Sequence, residues 1–535
     1  MFRNIHRIWG FTVAMLFSLS SLAQLTTTNL PIVRIATTTP IISSQTQATM
    51  TIINNVSGVN APTDVPQFTS MIGVELRGSI VSPKSSYSFE TWSSPTVSQN
   101  VSILGLPAEN DWVLISSYAD RSFVRNMLSY QLHERMGRYA PRMRLCELII
   151  DTTYKGVYLI GERIKRDSMR VDIANLTNLD VSGEELTGGY IFKIDNGGGA
   201  NWNSSIAPPN ATTQVIEFTY ESPNSSDLTQ VQKDYIKAYV DSFETAMNAS
   251  NFQDTTLGWR RFFGDGSFID YIITQEVSKN EEAYRINTYL YKDKGKKLRI
   301  GPLWGAEAAW RNTKNCQGDL DTGFCYNLNS HCNTEIRLVP FWYEKLAQDT
   351  FFNRELRCRY YHLRKPGQIL DTVKIFAIID SISIYANAQN ALTRNFALWP
   401  IWNVPINNEP TPMALNHAEE IANLKAFIKA RLAWLDSKWT LTGGCAEPLA
   451  NASFIKSPEI QLYPNPTNGD VYILILNAKK QVSTISIYNM QGLKLNEFRT
   501  QSERTNVSLR DYSDGIYLIQ IETNGLKSVK KVLKN

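Results

Sequence analysis

Between residues 70 and 200 apolar and polar positions alternate in short runs: "MIGVELRGS", "SYSFETW", "LCELII", "GVYLIGERI" and "GGYIFKID". Each carries branched or aromatic residues bounded by Gly, Pro or Asn, which predicts strands, here expected to share one sheet. Within them "YADRSFVRNMLSYQLHERMG" changes period. Phe123, Val124, Met127, Leu128 and Leu132 fall on one helical face, Asp120 can cap the start and Gly137 can end the helix. Residues 197–225, rich in Asn, Ser, Gly and Pro, read as a long loop. From Gln230 the period is helical. "QVQKDYIKAYVDSFETAMN" and "FIDYIITQEVSKN" predict helices, and "AEEIANLKAFIKARLAWLDSKW" sets Ile421, Leu424, Ile428, Leu432 and Leu435 along one stripe. A strand-rich part thus precedes a helix-rich one.

After Cys445 alternation returns. Ile485/Ile487 and Val507/Leu509 are spaced by polar residues and Asn524-Gly525 is a hairpin signal, so residues 457–535 are expected to form a small all-β sandwich behind a linker at 446–456. Residues 24–67, poor in charge, read as lead-in strands. The first 23 residues have Arg3 and Arg7, an apolar run from Ile8 to Leu19 and a small-residue cleavage pattern at Ser21-Leu22-Ala23. That is a secretory signal peptide, and its apolar run is shorter than the roughly 20 residues a membrane span needs, so no integral span is expected after its removal.

Composition adds limits. With 43% hydrophobic and 19% charged residues in 535, the chain is an ordinary globular protein of two or three folded units. Without the signal peptide 52 basic residues face 50 acidic ones, which gives no support for a nucleic-acid partner. Six cysteines remain, and export favours disulfides over zinc at Cys316, Cys325 and Cys332, which have no C-x-x-C spacing.

Two resemblances follow from longer motifs. Tyr463-Pro464-Asn465-Pro466, "IYNMQG" (487–492), "DGIYLIQI" (514–521) and the basic end Lys530, Lys531, Lys534 resemble the type A C-terminal sorting domain of the type IX secretion system of Bacteroidota. This implies handling by that machinery and a secreted or cell-surface protein. "GVELRGS" with "PKSSYSFET", "LGLPAENDWVLISSYADRSFVRNMLSYQL", "GVYLIGERIKRDSMRVDI", "LTGGYIFKID", "FIDYIITQEVSKNEEAYRINTYLYKDKGKKLRIGPLW" and "VPFWYEKLAQDTFF" resemble, over about residues 68–445, the CotH or spore-coat protein H family of kinases. The resemblance implies an α+β, two-lobed divergent protein-kinase-like fold, ATP with Mg or Mn as cofactors, and a surface or secreted protein as phosphate acceptor.

Phosphoryl transfer needs a cation on the phosphates, carboxylates on the metal and a carboxylate near the attacking hydroxyl. The resemblance assigns the phosphate contact to Lys84, where a second family lysine is replaced by Ser85, and further nucleotide-binding roles to Glu162 and Asn280. Where the family reads N-x-D-G-Y, this chain reads Asn280-Glu281-Glu282-Ala283-Tyr284, which makes Glu282 the catalytic candidate. Where it reads G-P-x-W-D-F, this chain reads Gly301-Pro302-Leu303-Trp304-Gly305-Ala306. Glycine offers no ligand oxygen, so Glu307 is the substitute metal ligand if the loop is extended and positions 305 and 307 point the same way. Asp195, Asp265 and Asp293 are the other carboxylates that can supply one. The expected function is an exported CotH-like kinase with a degenerate metal loop; the alternatives are an inactive pseudokinase that binds at the surface and a structural adhesin or coat component.

Overall fold

The computed structural model describes residues 25–78, 82–195, 201–264, 266–406, 408–441, 445, 459–476, 482–489, 493–502, 504–523 and 526–535. The signal-peptide segment, the linker at 446–456, Asp265 and the Asn524-Gly525 turn lie outside them. The chain divides into two compact units, Met1–Gly444 and Cys445–Asn535.

The first unit opens with β1 (Ile32–Thr37), β2 (Thr46–Ile53), β3 (Phe68–Arg77), β4 (Ser86–Ser94), the short β5 (Val97–Ser98), β6 (Asp111–Ile115), β7 (Met143–Ile150) and β8 (Thr153–Glu162). The strand order is β3-β2-β1-β7-β8-β6-β4, and β4 pairs back onto β3, so seven strands close a barrel. Only the β1–β7 pairing within it is parallel. The lead-in strands are therefore staves of the barrel. Period-two alternation fills its interior with Ile35, Met50, Ile72, Val74, Trp112, Leu148 and Ile160.

The single sheet expected from the sequence is in fact two. "GGYIFKID" supplies β9 (Tyr190–Ile194) of a separate antiparallel sheet in the order β10-β11-β9-β12-β13, with β12 (Thr288–Lys292) and β13 (Leu298–Ile300). Its other members, β10 (Trp202–Asn203) and β11 (Glu217–Ser222), lie inside the stretch expected to be a loop. Trp202 and Phe218 stack there with centroids 5.0 Å apart, and aromatic packing outweighs the polar composition around them.

Eight α-helices are present among the described residues: α1 (Arg125–Arg135), α2 (Gln230–Asn248), α3 (Ser267–Ser278), α4 (Trp342–Gln348), α5 (Thr350–Arg364), α6 (Thr372–Asn387), α7 (Ala391–Leu398) and α8 (His417–Lys438). Helix α2 begins with a Thr229/Gln232 capping box, and Asp349, Asp371 and Asn416 accept backbone N–H groups at the starts of α5, α6 and α8. One continuous core joins these helices, the five-stranded sheet and the barrel's outer face at Leu145, Val157 and Leu159.

Cys316 and Cys332 form a disulfide with their Cα atoms 5.5 Å apart, while Cys325 and Cys146 are free and buried. Two of the three clustered thiols are thus unavailable to zinc. The second unit is a sandwich of a three-stranded and a four-stranded antiparallel sheet around Ile473, Ile475, Ile485, Ile487, Val507 and Ile519.

A buried carboxyl gives this core a pH dependence. Glu244 on α2 is 0% exposed and accepts hydrogen bonds from Ser204 Oγ (2.6 Å) and Trp342 Nε1 (2.9 Å). Burial nevertheless pushes its pKa up to about 7. The folded state therefore holds this proton more tightly than the unfolded chain, and the group's contribution to stability falls as pH rises from about 4.5 to about 7, then levels off. Glu244→Gln should remove roughly 3 kcal/mol of that decline. Urea midpoints at pH 5 and pH 8 should lie closer together in the variant than in the parent.

Candidate functional site

Helix α3 ends at Lys279 in the left-handed conformation, and the chain turns through 280–287 into β12. The facing segment, 301–312, leaves β13 and has no regular structure of its own until residue 315. Helix α1 holds that segment. Asn126, Ser129 and Tyr130, spaced i, i+3 and i+4, share one helical face and engage Ala306 N (2.8 Å, to Asn126 Oδ1), Trp310 Nε1 (2.8 Å, to Ser129 Oγ) and Gly305 N (3.1 Å, to Tyr130 Oη). Trp310 N donates to Ser278 O at 2.7 Å, so the segment is also tied to the end of α3.

Asn280 joins the two walls. Its Nδ2 donates to Gln275 Oε1 (3.0 Å) and Gly305 O (3.2 Å), and its Oδ1 accepts from Glu282 N (3.2 Å). One amide thus fixes the backbone of both Glu282 and Gly305. Lys279, Tyr284, Asn287, Trp310 and Arg311 all have φ between +47° and +74°. Such conformations cost on the order of 1–3 kcal/mol each and persist only where surrounding bonds fix them, which marks this recess as a shaped place.

Glu282 and Glu307 are both partly exposed within the recess. Burial pushes the Glu282 carboxyl up to about 7, aided by Glu281 and Glu307 and opposed by the Arg285 guanidinium. Burial and then the Asp120 charge push Glu307 up to about 7, opposed by the Asn126 amide and by Lys84. Asn126 Nδ2 reaches Glu307 Oε1 at 3.2 Å. The structure therefore brings together three of the residues singled out from sequence: Asn280, Glu282 and Glu307. Above them Trp304 stacks on Tyr130 (centroids 6.4 Å) and carries the Arg77 guanidinium at 4.9 Å.

Lys84 and Glu162 are set differently. Lys84 is 1% exposed, and its ammonium donates to Val157 O (2.5 Å) and Asn395 Oδ1 (3.0 Å) over the Tyr158 ring. Burial holds its pKa well below the usual lysine range. Glu162, fully buried, takes Arg142 Nη2 at 2.6 Å and Nε at 3.0 Å, together with the Arg142 N–H and the Tyr139 hydroxyl. Of the other carboxylates, Asp195 pairs with Lys193 (3.0 Å) and Asp293 accepts the Ala174 N–H (2.9 Å).

Residues 74–435 match the family model described as CotH kinase protein, about two thirds of the chain. The chain belongs to the CotH family. Residues 461–535 match the secretion system C-terminal sorting domain, which makes this CotH-family protein a secreted or cell-surface one. No helix among the described residues is long and apolar enough to cross a membrane. Compared with the curated proteins, the chain matches none.

The CotH resemblance expects an aspartate at 305, and the local backbone explains what its loss entails. Gly305 has φ +70°, so the segment is not extended, and Glu307 enters the recess through its bond to Asn126 rather than by alternation with position 305. A Cβ at 305 would also lie 2.8 Å from Asn287 Nδ2. Sequence reading missed Asn126, Ser129 and Tyr130 as the residues that hold the site. Their i, i+3, i+4 spacing on a helix already assigned was the available signal.

Gly305→Ala should cost about 1–2 kcal/mol, combining left-handed strain with the Asn287 contact. Adding Asn287→Gly, which removes the amide and suits that residue's own left-handed φ of 51°, should recover the contact part and leave the strain at 305, with Asn287→Gly alone as the control. Thermal melts of the single and double variants separate the two, and equal melting temperatures for both would contradict the steric component.

Proposed function

We propose that this exported CotH-family protein binds ATP with Mg or Mn between Glu282 and Glu307 and slowly transfers the terminal phosphate to Ser or Thr hydroxyls of surface or secreted proteins. The single observation that carries this reading is the Asn280 bridge, which fixes the backbone bearing Glu282 against the loop that leads to Glu307. A carboxylate oxygen donor at Glu307, facing the like charge of Glu282, fits a hard divalent cation, whose charge relieves the repulsion. Bound there, the cation would neutralise charge on the phosphate oxygens. Glu307 is its protein ligand on this reading.

Glu282 acts as base. As the acceptor oxygen bonds to the γ-phosphorus and the bond to the β-phosphate oxygen breaks, the hydroxyl proton passes to the Glu282 carboxylate and ADP leaves. Its side chain is one methylene longer than the family's aspartate, and a displacement of about 1 Å costs on the order of a hundredfold in rate, so turnover is slow. Lys84, held inside, offsets the Glu307 charge; Asn280 sets the recess; Glu162 anchors Arg142. In this reading the barrel side and the helical side correspond to the two lobes of a divergent kinase. A pseudokinase is the second reading, favoured by the ligand-free Gly305 and by a Lys84 ammonium already engaged with Val157 and Asn395.

Calorimetric titration of the purified protein with ATP should show binding that requires Mn²⁺ or Mg²⁺ and weakens about tenfold or more in Glu307→Gln. Radiolabel transfer to an exported acceptor should disappear in Glu282→Gln while ATP binding remains. Metal-dependent binding without any transfer would establish the pseudokinase, and no binding in any condition would overturn both readings.

A further inference from the structure

A cleft of about 390 Å³ lies between α1, β7 and α6 and shares Tyr130 with the Glu282/Glu307 recess. This is within the size range of sites that enclose a ligand group. Its floor includes the buried Met143 and Ile382. Its rim carries the exposed Arg135 and Arg144 and the 42% exposed Tyr385, with Glu134 as the rim's own acid. Arg142 also lines the cleft but is neutralised by Glu162. Among the described residues the Arg144 guanidinium donates only to Met143 O (3.0 Å), and Arg135 has no ion pair.

An apolar floor ringed by Arg and Tyr has the composition of a peptide-binding hot spot. Two unpaired guanidiniums facing one carboxylate favour an anionic occupant. The buried Tyr130 belongs to both places. Its ring lines the cleft and stacks on Trp304, and its hydroxyl accepts the Gly305 N–H at 3.1 Å.

We propose that this cleft docks an acidic peptide segment with an apolar anchor, and that such a segment is the part of the acceptor protein recognised beside its phosphorylated hydroxyl. The binding stands on the cleft alone; the acceptor role rests on the phosphotransfer reading. Arg144 and Arg135 select the acidic residues, the floor takes the apolar anchor, and Tyr130 connects occupancy to the Gly305 loop.

The test is fluorescence anisotropy of the whole protein with a labelled peptide in which glutamates flank a Leu-Ser-Leu core, against a counterpart with lysines in place of glutamates. The acidic peptide should bind and the basic one should not, with affinity falling about tenfold in Arg144→Glu and further in Arg135→Glu/Arg144→Glu. Both arginines are exposed, so circular dichroism and the melting temperature should match the parent and exclude misfolding. Equal binding of both peptides, or an acidic-peptide affinity unchanged by the double reversal, overturns the proposal. So does failure of both peptides with self-association of the protein, which assigns the cleft to a second copy. Peptide binding without ATP binding in parallel calorimetry would leave the cleft standing and remove the phosphotransfer reading, so the two can fail separately.

Discussion

The buried ion pair between Glu276 and Arg431 is the constraint on which the candidate site depends. Both side chains are 0% exposed and their charged atoms are 3.1 Å apart. Arg431, on α8, also donates to Glu276 O (2.7 Å), Asp321 O (3.1 Å) and Gly323 O (2.7 Å). Glu276, on α3, accepts from Tyr284 Oη (2.9 Å), Cys325 N (2.8 Å) and Tyr326 N (3.2 Å). Burying two charges is expensive, and losing one partner of such a pair costs on the order of 3–5 kcal/mol because the other is left without compensation. Here the remaining lone pairs and protons are occupied by the Tyr284 hydroxyl, the Glu276 carbonyl and backbone from a third segment. The end of α3, the disulfide-bearing loop and α8 are thereby held as one piece, and the turn carrying Glu282 starts four residues beyond Glu276.

Regular helices were legible in the sequence because their signals are local. The span 230–248 coincides with α2, and all five stripe residues of α8 are buried. Gly137 ends the α1 segment at φ +90°, and Asp120 accepts Ser122 N (3.0 Å) and Arg125 N (3.0 Å) just before the helix. Barrel closure was not legible. Alternation specifies which face of a strand is buried but not its neighbour, and the parallel β1–β7 pairing joins residues more than a hundred positions apart. For the same reason β9 was grouped with the barrel strands although its partners are β11 and β12.

The site shows the same division between local identity and distant context. Lys84 and Glu282 are both charged residues in motif positions. Only the fold distinguishes an ammonium enclosed by Val157, Asn395 and Tyr158 from a carboxylate left half-open beside Glu307. Glu162 was legible as an acid at a strand end, but its closure by Arg142 depends on the β7–β8 register, which sets Met143 opposite Gly161.

The recess makes different mechanical demands on its two loop positions. Gly305 occupies a left-handed turn crowded by Asn287, where a β-carbon adds strain. Glu307 sits two residues on, where Asn126 holds both its carboxylate and the Ala306 N–H. The Glu307 carboxylate is thereby positioned from the α1 face. The negative charge facing Glu282 is thus held by α1 as well as by the loop that carries it, and the Asn280 bridge keeps the two walls in register.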